Sequence, residues 1–150
     1  MRILIVEDDA EKAHSIENFI REKFSTISTN IVQSYHDGME YIMNGKYDII
    51  LLDMSIPTFN EHGCGAGDTL KNGGEIIAWE LLDEKIDFKC LVITQYETFN
   101  NESLETIDNR LRRMCGDSYL GSIKYDIYND DWKDKLYNKL SYHVFDTYNR

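Results

Sequence analysis

The chain has 150 residues, which is enough for one well-buried core and too few for two comfortable domains. Its formal net charge of −11, from 27 acidic and 16 basic side chains, argues against a general nucleic-acid binder, because such a protein needs a basic face. With 42% hydrophobic residues, 29% charged residues and no apolar run long enough to span a bilayer, the composition predicts one soluble globular domain over residues 1–150.

The cysteines and the first residues of the chain both indicate the cellular compartment of the protein. Cys64, Cys90 and Cys115 are far apart and form no CxxC motif, which is typical of reduced thiols. The chain begins directly with a strand-like segment, without a charged and then apolar leader. We therefore expect a cytoplasmic protein.

Strand-like and helix-like segments alternate five times along the chain. Asp9 is placed to cap the first helix, and residues 132–144 carry a large apolar side chain at every fourth position, as a buried helix face does. A Gly-rich stretch at about 57–74 enlarges the connection between the third strand and the third helix, which is typical of functional or disordered loops. The predicted strands lie at about 2–6, 30–33, 47–52, 89–94 and 119–124, and the helices at about 10–24, 36–43, 75–82, within 102–115 and from 131.

Repeated strand–helix units predict an α/β fold, with a parallel sheet covered by helices on both faces. For five units, the common doubly wound arrangement is flavodoxin-like, a five-stranded parallel sheet with strand order 2-1-3-4-5. Strands one and three are neighbours in this order. The ligand-binding crevice then lies at their carboxyl ends.

Carboxylates follow both of these neighbouring strands. Glu7 and Asp8 come directly after strand one, and Asp53 ends the apolar run of strand three. A charged carboxylate at the end of a buried strand costs free energy unless it is paired or binds a ligand. We therefore expect a small anionic pocket suited to Mg²⁺ and a phosphoryl group. The alternative is that these acids are only helix caps and solvated strand ends.

Strands four and five end in Thr94 and Lys124, which should line the same crevice. This set of groups suits phosphoryl transfer to a carboxylate, with Asp53 as the nucleophile and Mg²⁺ held by Asp8, Asp53 and a backbone carbonyl. Lys124 would pair with the phosphoryl group as a point charge, and Thr94 would donate its hydroxyl to it. Alternatively, Thr94 is an ordinary strand residue and Lys124 a solvated lysine.

Two segments, ILIVEDD at 3–9 and DIILLDMSIP at 48–57, resemble the receiver domain of two-component response regulators when they are taken together with Thr94 and Lys124. The resemblance covers nearly the whole chain. It implies that a histidine kinase or phosphotransfer protein phosphorylates Asp53. It also implies that Thr94 is the switch hydroxyl and Lys124 the phosphate-pairing lysine.

The resemblance implies a metal site as well. Mg²⁺ would be held by Asp8, Asp53 and the backbone carbonyl of Ser55, and Glu7 would assist through water. These roles are carried over from the family pattern onto matching positions of this chain.

Several positions depart from the family pattern. Gln95 and the bulky Tyr96 follow the switch threonine, where the family usually has a small residue, so we expect them to modulate access to Asp53. Tyr125 stands where a proline usually follows the lysine, and Gly121 where an aromatic residue is usual.

We expect a stand-alone receiver that is gated by phosphorylation and signals through an unidentified output protein. Its output surface, and the interface of a homodimer, would be the face of helix four, strand five and helix five. We expect no direct nucleic-acid or membrane partner, and no enzymatic activity beyond self-phosphorylation from a donor and slow self-dephosphorylation.

Two alternatives remain. The first is a receiver-like interaction module that is not phosphorylated, which an occluded Asp53 with Lys124 directed away would favour. The second is a phosphohydrolase with an aspartyl-phosphate intermediate. We rank it lower because Ser55 stands where such enzymes need a second aspartate as general acid.

Overall fold

A computed structural model describes residues 1–59, 69–99 and 101–148 of the chain. Five strands of this part form one parallel sheet in the order β2-β1-β3-β4-β5. The predicted α/β fold with its flavodoxin-like strand order is confirmed. The strands are β1 (Arg2–Val6), β2 (Ser28–Val32), β3 (Ile49–Leu52), β4 (Cys90–Thr94) and β5 (Tyr119–Lys124).

Helices cover both faces of the sheet. The helices are α1 (Ala10–Lys23), α2 (Tyr35–Asn44), α3 (Gly73–Asp83), α4 (Leu104–Cys115) and α5 (Asp131–Tyr148). One buried cluster joins α2, α3 and α4 to the sheet, and a second joins α1 and α5 to its other face. Successive strand residues alternate between the two clusters because strand side chains point to opposite faces in turn. None of the helices in the described residues is long and apolar enough to span a membrane.

Local sequence signals account for the start of α1 and for the buried face of α5. The Asp9 side chain accepts a hydrogen bond from the Lys12 backbone N–H at 3.2 Å, which caps α1 as predicted. Helix α5 begins at Asp131, and Trp132, Leu136 and Leu140 are at most 2% exposed. The apolar repeat of this helix therefore forms its buried face.

The predicted start of α3 was wrong by two residues, since the helix begins at Gly73. A Cβ atom at Gly74 would lie 2.6 Å from the Asp53 backbone oxygen, so only glycine lets the helix start this close to the end of β3. The Gly74 N–H donates to the Met54 backbone oxygen at 3.3 Å. This contact fixes the first turn of α3 against the chain beside Asp53.

The connection between β3 and α3 contains more regular structure than expected. Ile56–Pro57 pairs antiparallel with Thr69–Leu70, and residues 73 and 74 belong to α3. Half of the Gly-rich stretch, residues 60–68, lies outside the described residues. A second short ribbon, Thr98–Phe99 with Glu102–Ser103, precedes α4 and was not predicted.

Candidate functional site

Strand register brings the predicted acidic residues together. Val6 is paired with Leu52 in neighbouring β1 and β3, so the residues that follow them leave the sheet at the same level. Carboxylate oxygens of Glu7, Asp8 and Asp53 lie within 4.8 Å of one another. The chain therefore has a compact acidic cluster at the carboxyl edge of its sheet.

The cluster is partly buried. Glu7 and Asp53 are only 2% and 4% exposed, whereas Asp8 faces solvent. Burial raises the pKa of Glu7 to about 8, although the nearby Lys12 opposes the rise. Burial and the charge of Asp53 also raise the pKa of Asp8. Closely spaced carboxylates with these surroundings favour a cation, and their hard oxygen atoms suit Mg²⁺.

Lys12 supplies a cation from within the chain, which the sequence analysis missed. Its ammonium nitrogen lies 2.6 Å from Glu7 Oε2 and 3.5 Å from Asp53 Oδ1. It also donates a hydrogen bond to the Ile93 backbone oxygen at 2.8 Å. The ammonium therefore stands between the two buried acids of the cluster and the end of β4.

A signal for Lys12 was present in the sequence. Lys12 precedes Ile16 by four residues and Ile20 by eight, and this spacing places it on the buried face of α1. Lysine is almost never fully buried unless it is paired. A lysine on this face, beside the carboxyl ends of β1 and β3, therefore indicates a paired charge.

Thr94 and Lys124 are adjacent in the register of β4 and β5 but lie in different surroundings. Thr94 is fully buried, and its Oγ1 accepts a hydrogen bond from the Tyr96 backbone N–H at 3.4 Å. Lys124 is half-exposed and forms an ion pair with the exposed Glu97. Within the described residues, no ion pair joins Lys124 to Asp53.

The remaining predicted residues follow the carboxyl ends of β3 and β4. Gln95 and Tyr96 are exposed, and the Gln95 side-chain amide donates to the Tyr96 hydroxyl at 3.5 Å. Ser55 is half-buried in the turn after β3. Ligation by its carbonyl and control of access by Gln95 and Tyr96 remain predictions.

Comparisons with known proteins point to one family. The family model of the response regulator receiver domain matches residues 3–103. A curated relative, Detocs response regulatory protein DtcB of Enterobacter cloacae, is 24% identical over 148 residues, which cover 94% of this chain and 99% of the relative.

Solved receiver structures share the fold at low sequence identity. The signal receiver domain of the putative LuxO repressor protein from Vibrio parahaemolyticus has a TM-score of 0.70 at 17% identity, covering 95% of this chain and 88% of its own. The response regulator TrrA from Thermotoga maritima, solved in complex with Mg²⁺-BeF, has a TM-score of 0.61 at 17% identity, covering 92% and 97%. At this identity, the similarity concerns the fold.

Proposed function

The chain belongs to the response regulator receiver domain family, and on this premise we propose that it is a phosphorylation-gated signalling module of a two-component system. Receiver domains are in general signalling modules rather than enzymes. In this proposal, a histidine kinase or phosphotransfer protein phosphorylates Asp53, and the modified protein signals through a partner. The observation that carries the proposal is the convergence of Glu7, Asp8 and Asp53 within 4.8 Å.

The surroundings of Asp53 suit a nucleophilic carboxylate. The Met54 backbone N–H donates to Asp53 Oδ1 at 2.8 Å and fixes the orientation of the group. In the transfer, an Asp53 oxygen forms the new P–O bond while the P–N bond of a phosphohistidine donor breaks, and the electron pair of that bond leaves on the imidazole.

The donor set fits a hard divalent cation. Asp8, Asp53 and the Ser55 carbonyl would hold Mg²⁺, with Glu7 assisting through water. Once bound, Mg²⁺ would offset the repulsion between the carboxylate and the incoming phosphoryl group.

In this proposal, Thr94 couples the site to the surface. Its hydroxyl would donate to a phosphoryl oxygen, and any movement would act on the Tyr96 N–H that it now binds. The same β4–α4 connection contains Glu97, the partner of Lys124 on β5. Phosphorylation would thus shift the population of conformations along α4, β5 and α5.

We propose this α4–β5–α5 face as the output surface, for an output protein or a second copy of the chain. Support comes from two aromatic side chains of α5, Tyr142 and Phe145, which are 70% and 67% exposed.

A second candidate function is a receiver-like interaction module that is not phosphorylated. Two observations favour it: Asp53 is only 4% exposed, and Lys124 is engaged by Glu97. We rank it second because Asp8 faces solvent and so leaves the acidic cluster open on one side. A site that no longer takes phosphate also has little reason to keep acids with raised pKa values together.

Intact mass spectrometry separates the two candidates. The protein is incubated with a small phosphodonor and Mg²⁺, and we expect a gain of one phosphoryl group that disappears in Asp53→Asn. Asp48→Asn is the matched control, because Asp48 is an exposed carboxylate at the opposite end of β3. Absence of a mass gain in the wild type, or a gain that persists in Asp53→Asn, would reject phosphorylation at Asp53 and leave the interaction module.

A further inference from the structure

None of the roles above uses Lys12, yet its ammonium is held in a site built around it. The Lys12 side chain is 1% exposed, and burying an unpaired ammonium costs several kcal/mol. Glu7 and the Ile93 carbonyl accept its hydrogen bonds, and the Tyr125 ring centroid lies 5.7 Å from Nζ. A cation over an aromatic ring is stabilised by the ring quadrupole.

Tyr125 is itself held in place. It is 6% exposed, its N–H donates to the Thr94 backbone oxygen at 2.8 Å, and its ring lies 5.1 Å from that of Trp132. This tyrosine is one of the departures from the family pattern noted above. It forms part of the wall of the Lys12 site.

One N–H group of the Lys12 ammonium has no close acceptor among the described residues, and it lies on the side of Asp53. An ammonium has three N–H groups, and in the described structure two of them are accounted for by Glu7 and the Ile93 carbonyl. Asp53 Oδ1, at 3.5 Å, is too far for a strong hydrogen bond. A phosphoryl oxygen attached to Asp53 would extend beyond the carboxylate and meet this third donor.

We propose that Lys12, rather than Lys124, is the lysine that pairs with the phosphoryl group on Asp53. The proposal rests on the proposed function and names the cation of that same site. Lys12 reaches the site from α1, whereas Lys124, at the end of β5, is engaged by Glu97 at the surface. In the unphosphorylated protein, Lys12 pairs with Glu7 and lies beside Asp53. In the phosphorylated protein, it binds the new charge.

If Lys12 pairs with the phosphoryl group, its replacement should change the affinities for Mg²⁺ and for a phosphoryl mimic in opposite directions. Lys12 repels a divalent cation in the acidic cluster and attracts a phosphoryl group. Replacement of Lys12 by the apolar methionine should therefore tighten binding of Mg²⁺ alone and weaken binding of the phosphoryl mimic beryllofluoride. A structural role alone would move both affinities in the same direction.

The test is calorimetric titration of the full chain, first with Mg²⁺ and then with beryllofluoride at saturating Mg²⁺. We expect Lys12→Met to bind Mg²⁺ at least as tightly as the wild type and to bind beryllofluoride about tenfold or more weakly, the value of a lost charge-assisted hydrogen bond. Lys12→Arg keeps the charge and should recover part of this loss. Lys124→Met should stay within about threefold of the wild type, because it removes only an exposed ion pair.

Lys23→Met is the neutral control, since Lys23 lies at the far end of α1 and is exposed. A loss of beryllofluoride binding in Lys124→Met, or its retention in Lys12→Met, would overturn the proposal. If Lys12→Met does not fold, as thermal unfolding would reveal, the Lys124→Met result still decides between the two lysines. A wild type that binds Mg²⁺ but no beryllofluoride would instead refute the proposed function on which the inference rests.

Discussion

The guanidinium of Arg110 on α4 donates two hydrogen bonds to the carboxylate of Glu75 in the first turn of α3. Its Nη2 lies 2.9 Å from Oε1 and its Nε 3.0 Å from Oε2. The same guanidinium binds Glu102, in the ribbon before α4, at 2.7 and 3.0 Å. Glu75 is 1% exposed, and Arg110 pairs with its buried carboxylate. The contact joins α3 and α4 to the connection that follows Thr94.

Loss of Arg110 should destabilise the protein, because it leaves a buried carboxylate unpaired. We expect Arg110→Ala to lower the free energy of unfolding by about 2–3 kcal/mol. Arg110→Lys should recover only part of this, since lysine cannot form the paired hydrogen bonds. Urea denaturation at pH 7 measures the effect.

Arg113→Ala is the control for this measurement. Arg113 lies on the same helix and is exposed, so its loss should change stability by no more than about 0.5 kcal/mol. An Arg110→Ala variant as stable as the control would show that Glu75 does not depend on Arg110.

Gly74 has no side chain, and this lets the start of α3 pack closely against the backbone at the end of β3. A methyl group there would lie 2.6 Å from the Asp53 backbone oxygen and 3.3 Å from Met54 Sδ. We expect Gly74→Ala to lower the free energy of unfolding by about 2 kcal/mol, although alanine by itself favours a helix. Displacement of Asp53 should also weaken Mg²⁺ binding, which calorimetry would measure.

Gly38→Ala is the matched control for Gly74. Gly38 also lies in a helix, α2, but a Cβ there would meet only side-chain atoms, at 3.4–3.6 Å. This variant should be neutral or slightly more stable than the wild type. Equal effects of the two substitutions would contradict the importance of the contact with Asp53.

The sequence predicted the fold and the acidic cluster because both follow from local patterns. Alternating elements imply the strand order, and the order places Glu7, Asp8 and Asp53 at one edge. The start of α3 was misjudged because two consecutive glycines locally favour a loop, while their contact with the end of β3 appears only in the fold.

The pairings of charged side chains could not be predicted in the same way. Arg110 and Glu75 are 35 residues apart on different helices, so no sequence spacing relates them. Spacing along α1 indicates that Lys12 is buried and paired, but it does not identify the partners. Those partners, Glu7 and the Ile93 carbonyl for Lys12 and Glu97 for Lys124, are set by the fold.

Tyr96 is expected to slow the loss of a phosphoryl group from Asp53. Its N–H donates to Thr94 Oγ1, and the residue is 51% exposed, so we expect its ring to hinder attacking water. After removal of the phosphodonor, the phosphorylated fraction should decay severalfold faster in Tyr96→Ala than in the wild type. Intact mass spectrometry over time measures the decay.

Tyr128→Ala is the control for Tyr96→Ala, because Tyr128 is 90% exposed. Faster decay in the wild type than in Tyr96→Ala would contradict shielding by Tyr96.

His143 on α5 should make stability depend on pH below neutrality. Burial, together with Lys89 and Lys139, lowers the pKa of His143 from its usual 6.5 against the opposing charge of Asp146. The unfolded chain therefore binds a proton at a higher pH than the native protein, so the contribution of His143 is present above pH 6.5 and is lost as the pH falls through and below it. We expect urea denaturation to show a steeper loss of stability toward acid in the wild type than in His143→Gln. Removal of the exposed His14 in His14→Gln should leave the wild-type slope, and identical slopes in all three proteins would exclude this role of His143.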